Sequence, residues 1–151
     1  MNRVVITGMG VVAPNGIGLE DFHKAQCEGL SGIRKIDQFE ELKFSCQVGG
    51  IPEVTEEILA QYFTPLELRM IDSSGIKYGV IAGLQAWKDA GLTIDKEDNN
   101  YENGIIFGAG ISGVDKFRDA IYKVDNLNVR RLGSTVVINT MTSGVSAFLS
   151  G

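Results

Sequence analysis

Residues 104–115 read GIIFGAGISGVD and hold a complete G-x-G-x-x-G in Gly108, Gly110 and Gly113. An apolar run precedes the motif, and a helical pattern, VDKFRDAIYKV (114–124), follows it. In a dinucleotide fold the first glycine makes the turn and the second lets a pyrophosphate approach. The helix then begins at once, so that its amides face the phosphate. The spacing is met here, and a nucleotide-binding α/β domain is one reading of the stretch. Asp125 is acidic, but it lies too near the glycines and inside the helix rather than at the end of a second strand. A second glycine loop, VVITGMGVVAPNG (4–16), carries Gly8, Gly10 and the small Ala13. There, β-branched residues and a Pro14-Asn15-Gly16 turn stand where the first helical turns belong, so the loop fails on context.

Outward from these loops, strands alternate with helices. RVVIT (3–7) is a β-branched run bounded by glycine, the pattern of a strand buried on both faces. Leu19, Phe22 and Ala25 recur at helical spacing over 19–28, with Gly29 as the stop. LSGIRKIDQF (30–39) reads as a turn and a short extended piece. Thr64-Pro65-Leu66-Glu67 is a capping box with proline at the first helical position. The helix it starts is expected to be jointed near Asp72-Ser73-Ser74-Gly75 and to continue through IKYGVIAGLQAWKDAGL (76–92), with Ile76, Val80, Leu84 and Trp87 on one side and Gly91 as its end. Gly75, Gly79 and Gly83 recur every four residues. Each costs about 1 kcal/mol of helix propensity, a cost that implies a tightly packed neighbour.

TIDKEDNNYEN (93–103) reads as a solvated acidic loop and GIIFGAG (104–110) as a second buried strand. VVINTMTSGVSAFLSG (136–151) reads as an apolar strand or loop running into a buried helix. The alternation gives an α/β class.

The length of 151 residues suits one domain, and 44% hydrophobic with 22% charged residues is ordinary for a globular chain. A net charge of −5 argues against general affinity for nucleic acid or an anionic membrane. No stretch is long and apolar enough to span a bilayer. Cys27 and Cys46 form no C-x-x-C and no secreted-type framework, which favours a reducing cytoplasmic setting. The chain stops at Gly151 in the middle of an apolar helical pattern, which reads as a cut.

Isolated chemical groups are few. Gly144-Val145-Ser146-Ala147-Phe148 is half of a nucleophile elbow, with Phe148 in place of the second glycine. His23 is the only histidine, so no multi-histidine metal site and no histidine pair can be assembled. Cys27 falls near a helix C-terminus, whose dipole disfavours thiolate, and Cys46 has the apolar neighbours of a buried structural residue. No metal site and no cofactor are expected.

Together the segments resemble one family, the β-ketoacyl-acyl carrier protein synthases, condensing enzymes of fatty acid and polyketide synthesis. RVVITGMGVVAPNG is similar to that family's opening strand and loop, and EGLSGIRKIDQF to its next signature. YGVIAGLQAWKDAGL resembles the long helix ending in Asp-Ala-Gly-Leu, and GIIFGAGISG resembles the glycine loop after the next strand. LGSTVVINTMTSGVSAFLS is most similar to the type I synthases. Five signatures in order over 1–151 are far more specific than one glycine motif. The resemblance implies the N-terminal part of a thiolase-like fold, a mixed sheet with buried helices.

It also implies a decarboxylative condensation of an acyl thioester with malonyl-acyl carrier protein, performed by a cysteine and two histidines beyond this segment. By itself the chain is therefore expected to be inactive. A non-catalytic subunit like the chain-length factors is the alternative. In the resemblance Ile111 matches a position where elongating synthases often place a bulky residue that gates the acyl pocket. The type I branch often has glycine there, so the two signatures point to different subtypes. Met141 and Phe148 fall where the pocket or the dimer contact would be lined, and core packing serves them equally well. Arg69, Arg130 and Arg131 match positions near a carrier-protein docking face, or else are solvated surface charge. The implied partners are acyl carrier protein and a second ketosynthase subunit, as homodimer or heterodimer.

Overall fold

The computed structural model describes residues 3–93 and 102–151. Most of the acidic loop expected at 93–103 lies outside the described residues.

The longest element is the helix α5, Ser74–Asp89, and the rest of the chain is arranged on it. Its inward residues Ile76, Val80 and Ile81 form the core with Leu59, Phe63, Ile71 and Val145. Helix α8, Gly144–Ser150, packs along α5. The glycine strip makes that approach possible. A Cβ on Gly79 would come within 2.7 Å of Val145 Cγ2, and one on Gly83 would meet the Leu149 side chain. Gly75 faces open space, so only two of the three glycines serve packing.

The N-terminal glycines answer to the same helix. Side chains on Gly8 and Gly10 would collide with the α5 backbone and side chains at Ala82, Gln85, Ala86 and Ala90. With none present, the Met9 amide donates to Asp89 Oδ2 at 2.9 Å and the Val11 amide to Gln85 Oε1 at 2.9 Å. These glycines lay extended backbone on a helix, a role that needs no phosphate.

Local signals act as expected in several places. Helix α1 spans Leu19–Glu28 and ends at Gly29 with φ 66°. The Thr64 capping box forms reciprocally and opens α4, Pro65–Met70. The chain then breaks at 71–73 before α5 restarts. Gly91, with φ 73°, follows α5. Helices α2 (Asp37–Glu41) and α3 (Glu56–Tyr62) precede these, and α6 (Val114–Asp125) follows the glycine loop. Pairing among the described residues is confined to two antiparallel ladders: β1 (Val12–Ala13) with β2 (Gly16–Ile17), and β3 (Ile33–Lys35) with β4 (Val48–Gly50).

Four expectations are corrected. Residues 3–7 and 104–110 are neither strands nor buried; Val4 is 95% exposed, and Ile106 is fully so. A strand buried on both faces needs ladder partners at its edges and a packed layer on each side, and the described residues give neither run a ladder. Residues 136–140 form the helix α7 rather than a strand. Cys46 is exposed, not a buried structural residue, and its Sγ lies 3.7 Å from the Val48 carbonyl.

Candidate functional site

Three elements meet beside the α4–α5 joint: the glycine loop, α7 (Val136–Thr140) and the polar face of α6. Asn139 ties them together. Its Oδ1 accepts from the amides of Asp72 (2.7 Å) and Ser73 (3.0 Å), and its Nδ2 donates to the carbonyls of Met70 (2.8 Å) and Thr135 (3.0 Å). All four side-chain bonds of a buried amide are thus made to backbone: three to groups at the break between α4 and α5, and one to the Thr135 carbonyl, which also accepts from the Asn139 backbone amide at 3.1 Å.

The Asn139 carbonyl stands directly against Gly113, where a Cβ would overlap it. Gly113 also has φ 63° as it caps α6, so it answers to both constraints at once. In a dinucleotide fold the third glycine lets the helix pack closely on a strand. Here the α7 backbone fills that place, and the run before the loop forms no strand. A Cβ added to Gly108 or Gly110 would meet nothing within 4 Å, so these two glycines face open space.

Beside Asn139, Lys116 Nζ sits 2.7 Å from Asp72 Oδ2. That hydrogen bond raises the lysine pKa above its ordinary 10.5, against a smaller opposing effect of burial. Asp72, Lys116, Asp119, Lys123 and Asn139 line a cavity of about 60 Å³ with Leu132, Thr135 and Val136. It has room for a few waters and none for a nucleotide or an acyl chain. Ser73 Oγ is fully buried nearby and has no hydrogen-bond partner among the described residues.

The site residues read from sequence are placed as follows. Ile111 stands on the glycine loop ahead of α6, 78% exposed. Met141 is the exposed residue that ends α7. Phe148 is half-buried on α8 and packs against the core. None of the three lines the cavity at Asn139, nor the open cleft of about 310 Å³ between Pro14, Ile17, Arg34, Glu53 and Ile58. Arg69 is exposed in the last turn of α4, and Arg130 and Arg131 are exposed on the 3-10 turn Val129–Arg131. His23 is exposed with Nε2 3.6 Å from Cys27 Sγ, one helical turn away. Among the described residues no group of three or more His, Cys, Asp or Glu could hold a metal ion, and no helix is long and apolar enough to cross a membrane. Sequence reasoning missed Asn139, Asp72 and Lys116; the one signal was an amide inside the apolar run VVINT.

Comparison with known proteins agrees with this geometry. The family described as "Beta-ketoacyl synthase, N-terminal domain" matches residues 1–151. A 3-oxoacyl-(acyl-carrier-protein) synthase 2 of Vibrio harveyi is 34% identical over 148 residues, covering 98% of this chain and 35% of that protein. The tetracenomycin polyketide synthase ketoacyl synthase beta subunit of Streptomyces glaucescens is 36% identical over 110 residues, 73% of this chain and 26% of that one. A β-ketoacyl synthase structure from Burkholderia phymatum superposes with a TM-score of 0.79 at 21% identity, covering 99% of this chain and 36% of that one. The ishigamide ketosynthase/chain length factor superposes with a TM-score of 0.75 at 22% identity, over 98% and 36%. The fold is thus α/β and thiolase-like over the N-terminal domain, and the chain spans between about a quarter and a third of the length of these relatives. With a family match along its whole length, the chain belongs to the β-ketoacyl synthases through their N-terminal domain.

Proposed function

We propose that this chain serves a condensing-enzyme assembly as pocket wall and partner-facing surface, and carries no condensation chemistry by itself. The observation that carries the reading is the family match over 1–151 in a chain spanning only 35% of the Vibrio harveyi synthase. The chemistry of the side chains supports it. Acyl transfer to a thiol needs a cysteine with a depressed pKa, and the decarboxylation and carbon–carbon bond formation that follow need donors to stabilise an enolate. The chain has one histidine. Cys27 is in the last turn of α1, and Cys46 is in a loop, so neither thiol stands at a helix N-terminus.

In this reading Ile111, Met141 and Phe148 bound the acyl chain, and Arg69, Arg130 and Arg131 meet the acidic surface of acyl carrier protein. The free thiols suit a reducing cytoplasmic setting. Malonyl- and acyl-carrier-protein substrates incubated with the 151-residue chain are expected to yield no 3-oxoacyl product; turnover would overturn the reading. Charge reversal of Arg130 and Arg131 in a full-length protein is expected to weaken carrier-protein binding, and unchanged affinity removes them from the docking face.

A chain-length-factor-like subunit is favoured by two specific relatives, the Streptomyces glaucescens beta subunit and the ishigamide ketosynthase/chain length factor. Co-expression of a full-length form with a ketosynthase tests it. Co-purification, with product length altered by Ile111→Gly, supports a chain-length role, whereas condensation by the full-length form without a second subunit type supports a catalytic synthase.

A further inference from the structure

On helix α1 the only histidine of the chain and one of its two cysteines stand one turn apart. His23 and Cys27 are four residues apart and so share a face. Cys27 Sγ lies 3.6 Å from His23 Nε2 and 4.0 Å from its Nδ1. Both side chains are exposed. Ala25, on the other side of the helix, is buried and seats it, so the pair is carried on a fixed element rather than on a loop. Neither group belongs to the pocket wall or to the carrier-protein face.

We infer that His23 and Cys27 form a bidentate chelate for zinc, with water in the remaining positions. The spacing is the bite of a tetrahedral ion: bonds of about 2.3 Å to sulfur and about 2.0–2.1 Å to nitrogen, opened to the tetrahedral angle, place the two donors about 3.5–3.6 Å apart. The separation of Sγ and Nε2 matches it without rearrangement. A thiolate with an imidazole selects zinc over magnesium or calcium, which take oxygen ligands. The electrostatics of α1 favour a cation at the same place. Cys27 is in the last turn, where the backbone carbonyls form the negative end of the helix dipole, and no basic side chain stands there. Glu20, Asp21 and Glu28 outnumber Lys24, the one lysine of the helix. That field disfavours a free thiolate and favours the ion that neutralises it, so binding and loss of the thiol proton to solvent go together. A single histidine excludes a multi-histidine centre but suffices for a mixed pair. Among the described residues no third His, Cys, Asp or Glu completes the set, so the site is open and exchangeable rather than a closed structural centre.

Titration of the reduced, untagged 151-residue chain with cobalt(II), a spectroscopic stand-in for zinc, tests the chelate independently of any role in condensation. A near-ultraviolet thiolate-to-cobalt charge-transfer band is expected, saturating at one ion per chain and bleached by added zinc. Cys27→Ser is expected to abolish the band. His23→Gln is expected to raise the cobalt midpoint about tenfold or more, since even residues that only support a metal ligand count on that scale. Cys46→Ser is expected to leave the titration unchanged. All three positions are exposed, so each variant is expected to keep the far-ultraviolet circular dichroism of the wild type. Absence of the band in the wild-type chain overturns the inference. So does a midpoint indifferent to His23→Gln, which would mark a thiol acting alone, or a band that follows Cys46 instead.

Discussion

Asn139 joins four backbone groups of two segments, the joint at 70–73 and the start of α7, and its side chain is the polar group they share. Asn139→Ala leaves the Asp72 and Ser73 amides and the Met70 and Thr135 carbonyls without that partner, at a buried joint. We expect a loss of about 3 kcal/mol, read as a lower urea midpoint at unchanged slope; a shift within error would show that water replaces the amide. Lys116 and Asp72 form a half-exposed pair, so Lys116→Met is expected to cost less than about 1 kcal/mol. Because the folded state raises the lysine pKa, this contribution is fully present below pH 10.5 and is lost as pH rises through the folded value. On raising the pH from neutral, wild type and Lys116→Met are therefore expected to converge in stability in strong alkali. Convergence already at neutral pH would sink the assignment. The roles of Asn139 and Lys116 were not legible in the sequence, because an amide in an apolar run and a lysine on an amphipathic helix state their chemistry but not their partners.

At the scale of elements, the signals that were legible are those closed within a few residues. The Thr64–Glu67 box, the left-handed Gly29 and the joint at 71–73 all depend on neighbours in the chain. The glycine strip of α5 announced a close neighbour without naming it, and the neighbour is α8. Gly79→Leu drives a side chain into Val145 and the Phe107 ring, and we expect it to destabilise the chain by about 1–3 kcal/mol. The partner change Val145→Ala is expected to recover part of that loss in a double-mutant cycle. Strict additivity of the two changes would show that the α5–α8 contact is not the reason for the glycine. Helix α6 was legible as a helix, but its orientation was not. A periodic stripe reports that one face is apolar; which face meets the core depends on what Lys116 finds across the gap.

For the molecule as a whole, the two runs at 3–7 and 104–108 set the character of the surface. Val4, Val5, Ile6, Ile105, Ile106 and Phe107 are exposed, beyond the scatter of single apolar residues that a monomer ordinarily shows. Native chain is therefore expected to bind an apolar fluorescent dye such as ANS before any denaturant is added. Val4→Asp with Ile106→Asp should lower that signal while leaving the far-ultraviolet circular dichroism unchanged. An absence of dye binding by the wild-type chain would mean that these runs are covered in solution. The family itself was legible because its signatures are local segments in a fixed order, and order along the chain survives whatever the segments pack against.

Where helices start and stop, which helix demands a close neighbour, and which family the chain belongs to are all written along the chain. Each rests on residues near one another in sequence or on the bare absence of a side chain. Three outcomes waited on packing: Gly113 is pressed on the Asn139 carbonyl rather than open to a phosphate, two β-branched runs stand outside any ladder, and α6 turns its apolar stripe outward. Those outcomes depend on a second surface arriving from elsewhere in the chain. A strand exists only with a partner, and a helix face is inside only if something packs against it.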